Sequence, residues 1–140
     1  MPGVIVVGFD GSDNSRRALE WAKDDVGKDG RVVAVYAYHP PPEWEGGNYW
    51  AHNVAHHQEH GRALLAEIET SGPPVVETDL LEGHPGIALI RAADAHGADK
   101  IVVGSHGHGH RRFGAGLGSI TTKVLHNTDR PVIVVPAEGG

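Results

Sequence analysis

Five short runs rich in β-branched residues alternate with four stretches of helical periodicity along this chain, and that alternation limits its fold more than any other feature. Val4 to Val7 is a continuous apolar run closed by Gly8, the pattern of a strand buried on both faces of a parallel sheet. After a polar turn from Asp10 to Ser15, the side chains of Ala18, Trp21, Ala22 and Val26 recur at helical spacing. They predict a packed helix that ends at Gly27 to Gly30. Arg31 to Ala37 repeats the strand signal, and His39 to Gly47, with three consecutive prolines, reads as a loop. A long helix is expected from about Ala51 to Ser71, with Ala55, Ala63, Leu64 and Ile68 available for a packed face. Val75 to Leu81 is a third strand, Gly83 to Pro85 a turn, and Ile87 to His96 a helix whose Leu89, Ile90 and Ala93 supply a buried stripe. Lys100 to Gly104 is a fourth strand, Ser119 to Asn127 a fourth helix and Pro131 to Val135 a fifth strand.

Each crossover helix returns the chain to the same edge, so the strands run parallel, and right-handed crossovers leave helices on both faces. The expected fold is α/β: an open, doubly wound, Rossmann-like five-stranded parallel sheet, with residues 1 to 140 forming one domain. Ligands in such sheets bind beyond the carboxyl ends of the strands where the winding reverses, which singles out the loops after strands one and four.

Composition removes several alternatives. A net charge of −6 leaves no basic surplus to neutralise a phosphate backbone or hold an anionic membrane surface, so neither nucleic acid nor membrane is an expected partner. The chain has no cysteine, which excludes disulfides and thiolate metal sites, and its start lacks the pattern of a secretory signal, so a cytoplasmic location is expected. No apolar run approaches the roughly 20 residues that span a bilayer as a helix.

The segment after strand four carries Gly104, Gly107, Gly109, Gly114 and Gly116 before Gly118 and Ser119 open a helix. Glycines let backbone N–H groups approach phosphate oxygens, and a helix start adds unpaired N–H groups and a favourable dipole. The competing reading is a surface loop with Ser119 as helix N-cap. No Lys follows the last glycine as a P-loop requires, and Arg112 stands where the dinucleotide fingerprint starting at Gly107 needs glycine.

Gly104, two residues, Gly107, a loop, then Gly118 and Ser119 resembles the ATP-binding signature of universal stress proteins. Val4 to Ser15 is similar to that family's opening strand and acidic turn, Gly83 to Pro85 to its Gly-x-Pro, and Arg130 to Pro136 to its final strand. The likeness covers nearly the whole chain and is weakest between Pro40 and His60. Ten residues, His108 to Leu117, separate Gly107 from Gly118, one more than the family's usual spacing. The resemblance implies that Asp10 lies near the phosphates or their magnesium, and that the backbone of Ala37 meets adenine. It also implies that Gly104, His106, Gly107, Gly118, Ser119 and Ile120 line the ribose and phosphate path, with Val103 and Thr121 adjoining. The implied ligand is ATP, AMP or another adenine nucleotide. A magnesium ion wants one or two carboxylates plus phosphate oxygens, and Asp10 is the acid nearest the end of strand one. Asp10 also suits a turn residue that bonds its own backbone.

Other residues read two ways. Arg111 and Arg112 are candidate phosphate cations or solvated side chains. His52, His56 and His60 recur every four residues and could hold a metal, but read better as a solvated helix face. Charging of His106, His108 and His110 below neutral pH would strengthen a phosphate site. Trp44, Tyr49 and Trp50 are candidates to stack on a base or to form a packing lid. The family's strand order places strand five, Pro131 to Val135, at a sheet edge, where pairing with its own copy would make a homodimer. The leading functional expectation is a regulatory module in which nucleotide ordering of His106 to Leu117 changes a surface that partners read. A slow adenine-nucleotide hydrolase and a non-nucleotide interaction dimer are the alternatives.

Overall fold

A computed structural model describes residues 3–38, 48–105 and 118–137, with the side chains of residues 48–53 outside that description. The elements run β1 (Val4–Gly8), α1 (Asp13–Val26), β2 (Arg31–Tyr38), α2 (Asn48–Ala66), β3 (Val75–Glu82), α3 (Pro85–His96), β4 (Lys100–Gly104), α4 (Ser119–Asn127) and β5 (Val132–Val135). The five strands form one sheet in the order β3-β2-β1-β4-β5, and every pairing is parallel. This is the doubly wound sheet that the alternation demands, and it sets β5 at an edge.

Successive strand residues point to opposite faces, so each continuous apolar run feeds two cores. On one face Ile5, Val7, Val32, Ala34, Tyr36 and Val102 pack under Ala18, Leu19 and Ala22 of α1 and Leu65 of α2. On the other, Val6, Val33, Val35, Ile101 and Val103 meet Leu89, Ala92 and Ala93 of α3 and Val124 of α4. Val6, Val7, Val32, Val33, Ile101 and Val102 are wholly buried, and each such side chain contributes about 1.5–3 kcal/mol.

Local signals set the helix ends. Ser12 caps α1 by accepting from Ser15 N at 3.1 Å, and Asp13 places a negative charge in the first turn. In α3, Pro85 occupies the first turn, the His84 Nδ1 accepts from Gly86 N at 3.0 Å, and Gly97 closes the helix in the left-handed conformation at φ 62°. At the other end of the sheet, His96 binds Asp79 Oδ2 through Nε2 at 3.0 Å and lies 3.3 Å from Arg31 Nη1 through Nδ1.

Several boundaries and faces differ from the sequence reading: β2 and β3 run one residue further, to Tyr38 and Glu82, and α3 starts at Pro85 rather than Ile87. Trp21 fits the α1 periodicity but is 37% exposed, because the small Ala18 and Ala22 carry the close contact with the sheet. Helix α2 ends at Ala66 rather than Ser71, and its inner face includes Val54, Leu64 and Leu65, with Ile68 packing just beyond its end, while Ala55 and Ala63 face outward. Strand β5 starts at Val132; Pro131 still accepts a bond from Ile101 N at 3.0 Å but has no N–H of its own to give. Among the described residues, no helix is long and apolar enough to cross a membrane.

Gly61 lets α2 lie close to the sheet. A Cβ there would stand 2.5 Å from Tyr36 Cδ1 and 2.6 Å from Leu80 Cδ1, so no side chain fits without moving the helix. Gly61→Val is expected to lower stability by about 2–3 kcal/mol in urea unfolding, because overpacking outweighs the gain in helix propensity. An unchanged midpoint would show that α2 is not held at this distance.

Candidate functional site

The winding reverses between β1 and β4: the chain leaves β1 toward β2 and β3, then returns through α3 to β4 on the other side. The loops beyond these neighbouring strand ends diverge and leave a crevice. Its volume is ≈ 330 Å³. One wall is the end of β1, from Gly8 through Asp10, joined by Ser15; a second is Val35, Tyr36 and Ala37 of β2 with His60 of α2. The third is Val103, Gly104 and the start of α4 from Gly118 to Thr121, and Pro85 and Leu89 of α3 complete the lining.

The turn after β1 is held by its own polar groups. Ser12 N donates to Asp10 Oδ1 at 2.9 Å, and Asp10 N donates to Ser15 Oγ at 3.3 Å. Asp10 therefore does bond the backbone two residues on, as a turn residue should, and it lines the crevice as well. Phe9 N donates to Val35 O at 2.9 Å, and the Arg16 guanidinium lies 5.4 Å from the Phe9 ring centroid.

The β4 wall is pinned by a buried polar pair. Asn14 Nδ2 donates to Val135 O at 2.9 Å, and Ser105 Oγ donates to Asn14 Oδ1 at 3.2 Å. Ser105 N also donates to Val135 O at 2.9 Å, while Ser105 O accepts from Gly118 N at 2.9 Å. Both ends of the segment from Ser105 to Gly118 are thus fixed to one another and to the end of β5. Gly104 has to be small here, since a Cβ would stand 2.7 Å from Asn14 Cγ. Thr121 Oγ1 donates to Gly104 O at 2.8 Å and ties α4 to β4.

The residue that caps α4 is Gly118, not Ser119, and no side-chain cap bond is made. The first bond inside the helix runs from Thr122 N to Gly118 O at 3.0 Å. The amides of Ser119, Ile120 and Thr121 therefore have no partner within the helix, and these residues line the crevice. Such a terminus favours an anion through both its N–H groups and its dipole.

Tyr36 is buried, and its hydroxyl pKa is raised, first by burial and second by the negative charge of Asp10. Its ring meets that of His60 edge to face with centroids 6.1 Å apart.

Asp10, Ala37, Val103, Gly104, Gly118, Ser119, Ile120 and Thr121, singled out in the sequence, come together around this one crevice. His106, Gly107, His108, His110, Arg111, Arg112, His39 and Trp44 lie outside the described residues, as do the side chains of Tyr49, Trp50 and His52. Among the described residues, no group of three His, Cys, Asp or Glu side chains is placed to hold a metal. His56 and His60 are exposed, but His60 is more than a solvated face residue because it lines the crevice. Sequence reading missed Gly8, Phe9, Ser15, Val35, Tyr36, His60, Pro85 and Leu89 as lining groups. The first three were legible from their place at the end of strand one and in the loop after it; the others depend on how α2 and α3 seat against the sheet.

The chain matches the universal stress protein family over residues 1–136. It is 34% identical over 134 residues to a universal stress protein of Thermus aquaticus, spanning 94% of this chain and 96% of that one. The crystal structure of a universal stress protein in complex with cAMP superposes with a TM-score of 0.61 at 28% identity, covering 96% of both chains. The universal stress protein of Archaeoglobus fulgidus in complex with dAMP has the same fold, with a TM-score of 0.58 at 23% identity over 96% of this chain and 99% of that one.

Asn14→Ala removes the bonds to Val135 and Ser105 and is expected to cost about 1–3 kcal/mol in denaturant unfolding, more than the same change at an exposed helix position. A second expectation concerns alkaline pH. With its pKa raised on folding, Tyr36 contributes stability that is present below about pH 10, the ordinary phenol value, and lost as pH rises through the folded value. Melting curves of the protein should therefore fall faster above pH 10 than those of Tyr36→Phe, and parallel curves would contradict the assignment.

Proposed function

The chain belongs to the universal stress protein family, and from that premise we propose that it is a stress-response regulatory protein whose crevice between β1 and β4 binds an adenine nucleotide, ATP with magnesium. The observation that carries this reading is the start of α4, where a glycine cap makes no side-chain bond and the first-turn residues Ser119, Ile120 and Thr121, whose amides have no partner within the helix, line the crevice. An anionic group there takes the place of the missing cap. Binding of cAMP and dAMP by the two structurally similar proteins supports an adenine nucleotide as the class of ligand.

In this reading the phosphates lie along Gly104, His106, Gly107 and Gly118, the start of α4 neutralises them, and the backbone of Ala37 meets the base. Asp10 is the one carboxylate among the described lining residues. That donor set fits magnesium, which keeps several waters and needs one or two carboxylates beside phosphate oxygens. Bound magnesium would supply charge neutralisation of the phosphates; Asp10 would hold it, and the bond from Ser12 N to Asp10 Oδ1 would orient the carboxylate. The protein works in the cytoplasm as a homodimer joined through β5, whose outer edge has no neighbouring strand among the described residues.

Isothermal titration of nucleotide-free protein with ATP and magnesium, with AMP and cyclic AMP in parallel, tests the reading. Micromolar or tighter ATP binding, about 8 kcal/mol, is expected, together with its loss in Gly118→Val, whose side chain would stand over the helix amides. Asp10→Ala should weaken the magnesium-dependent part of the affinity and spare the rest. If none of the three nucleotides binds, the crevice is not a nucleotide site and the protein is a partner-binding dimer.

A further inference from the structure

The crevice has two ends, the start of α4 and the wall at β2. Strands β2 and β4 flank β1, so the wall at Tyr36 and Ala37 lies two strand spacings, about 10 Å, from the start of α4. A ligand whose anionic group sits at the α4 amides therefore presents its remaining part to the β2 wall. Among the described lining side chains, the one that contains nitrogen is His60, and it stands on that wall. Its ring is set edge to face on Tyr36, and the absence of a side chain at the adjacent Gly61 lets α2 press against Tyr36 and Leu80, which brings the imidazole over the crevice. An imidazole offers a flat apolar face together with a donor and an acceptor at fixed positions, which suits the edge or face of a heteroaromatic base and not a phosphate path lined by amides.

We propose that His60 touches the ligand at the β2 end of the crevice and determines which base is accepted there. The assignment rests on the nucleotide reading above and adds a contact that comes from α2, outside the loops after β1 and β4. Tyr36 orients the imidazole and acts as a positioning residue.

His60 is exposed on its helix, so His60→Ala, His60→Gln and His60→Phe should keep a cooperative thermal melt, lowered only by the small loss of the ring contact with Tyr36 in the first two. The test is titration of the full chain and these variants with adenosine, AMP, ATP and GTP. Loss of one base contact in His60→Ala should weaken adenosine, AMP and ATP by the same factor, about fivefold, and narrow the preference for ATP over GTP. His60→Phe keeps a ring without the nitrogens, and should recover part of the affinity but not the preference. Gly118→Val provides the contrast, with a loss that grows with the number of phosphates. Unchanged affinities and preference in His60→Ala would overturn the proposal while leaving the nucleotide reading intact. So would a loss that grows with phosphate number. Wild-type protein that binds none of the four ligands would overturn both.

Discussion

All of the architecture follows from burying strands on both faces at once. Continuous apolar runs such as Val4 to Val7 and Ile101 to Val103 have no side to show to water, so helices must cover the sheet above and below. With parallel strands and right-handed crossovers, that covering is achieved by winding first one way from β1 and then the other, and the reversal opens a gap that no helix can fill. The crevice is a consequence of how the core is closed. Glycine at positions 104 and 118 and small polar groups at 14 and 105 then decide what shape the gap takes.

Those small residues also join parts of the chain that are remote in sequence. Val135 O accepts from both Asn14 and Ser105, which brings the first helix, the crevice wall and the final strand to a single carbonyl oxygen. A buried amide that gives and accepts at fixed positions tolerates little movement, so β4, β5 and the root of the glycine-rich segment behave as one rigid piece. Helix α2 is held differently, chiefly by shape: it approaches the sheet through Gly61, and Gln58 Nε2 donates to the Tyr38 hydroxyl at 2.8 Å.

The alternation of periods made the strands, their parallel sense and the place of the crevice readable from the residues alone. The resemblance to universal stress proteins implied that Asp10, Gly104 and Gly118 share one site. What the alternation could not show is the approach of α2, because a helix of moderate polarity with histidines throughout gives a weak face. Ala55 and Ala63 looked fit to pack but point outward, while a glycine in the middle of the helix sits at the tightest contact. A single glycine inside a helical pattern ordinarily reads as a defect, and here it records how near the sheet lies. Trp21 misled for a related reason: periodicity marks a face, but the width of the gap to the sheet selects alanine over tryptophan on it.

Helix α4 begins on a residue that cannot complete its own hydrogen bonding. A serine or aspartate at position 118 would make the fold self-sufficient there, at the cost of occupying the place where an outside group can bind. With glycine, the last increment of order in this helix is left to the surrounding solution. A solute that settles on those amides adds stability in proportion to the logarithm of its concentration once it exceeds its dissociation constant. The equilibrium stability of the fold then rises with the concentration of any solute that binds there.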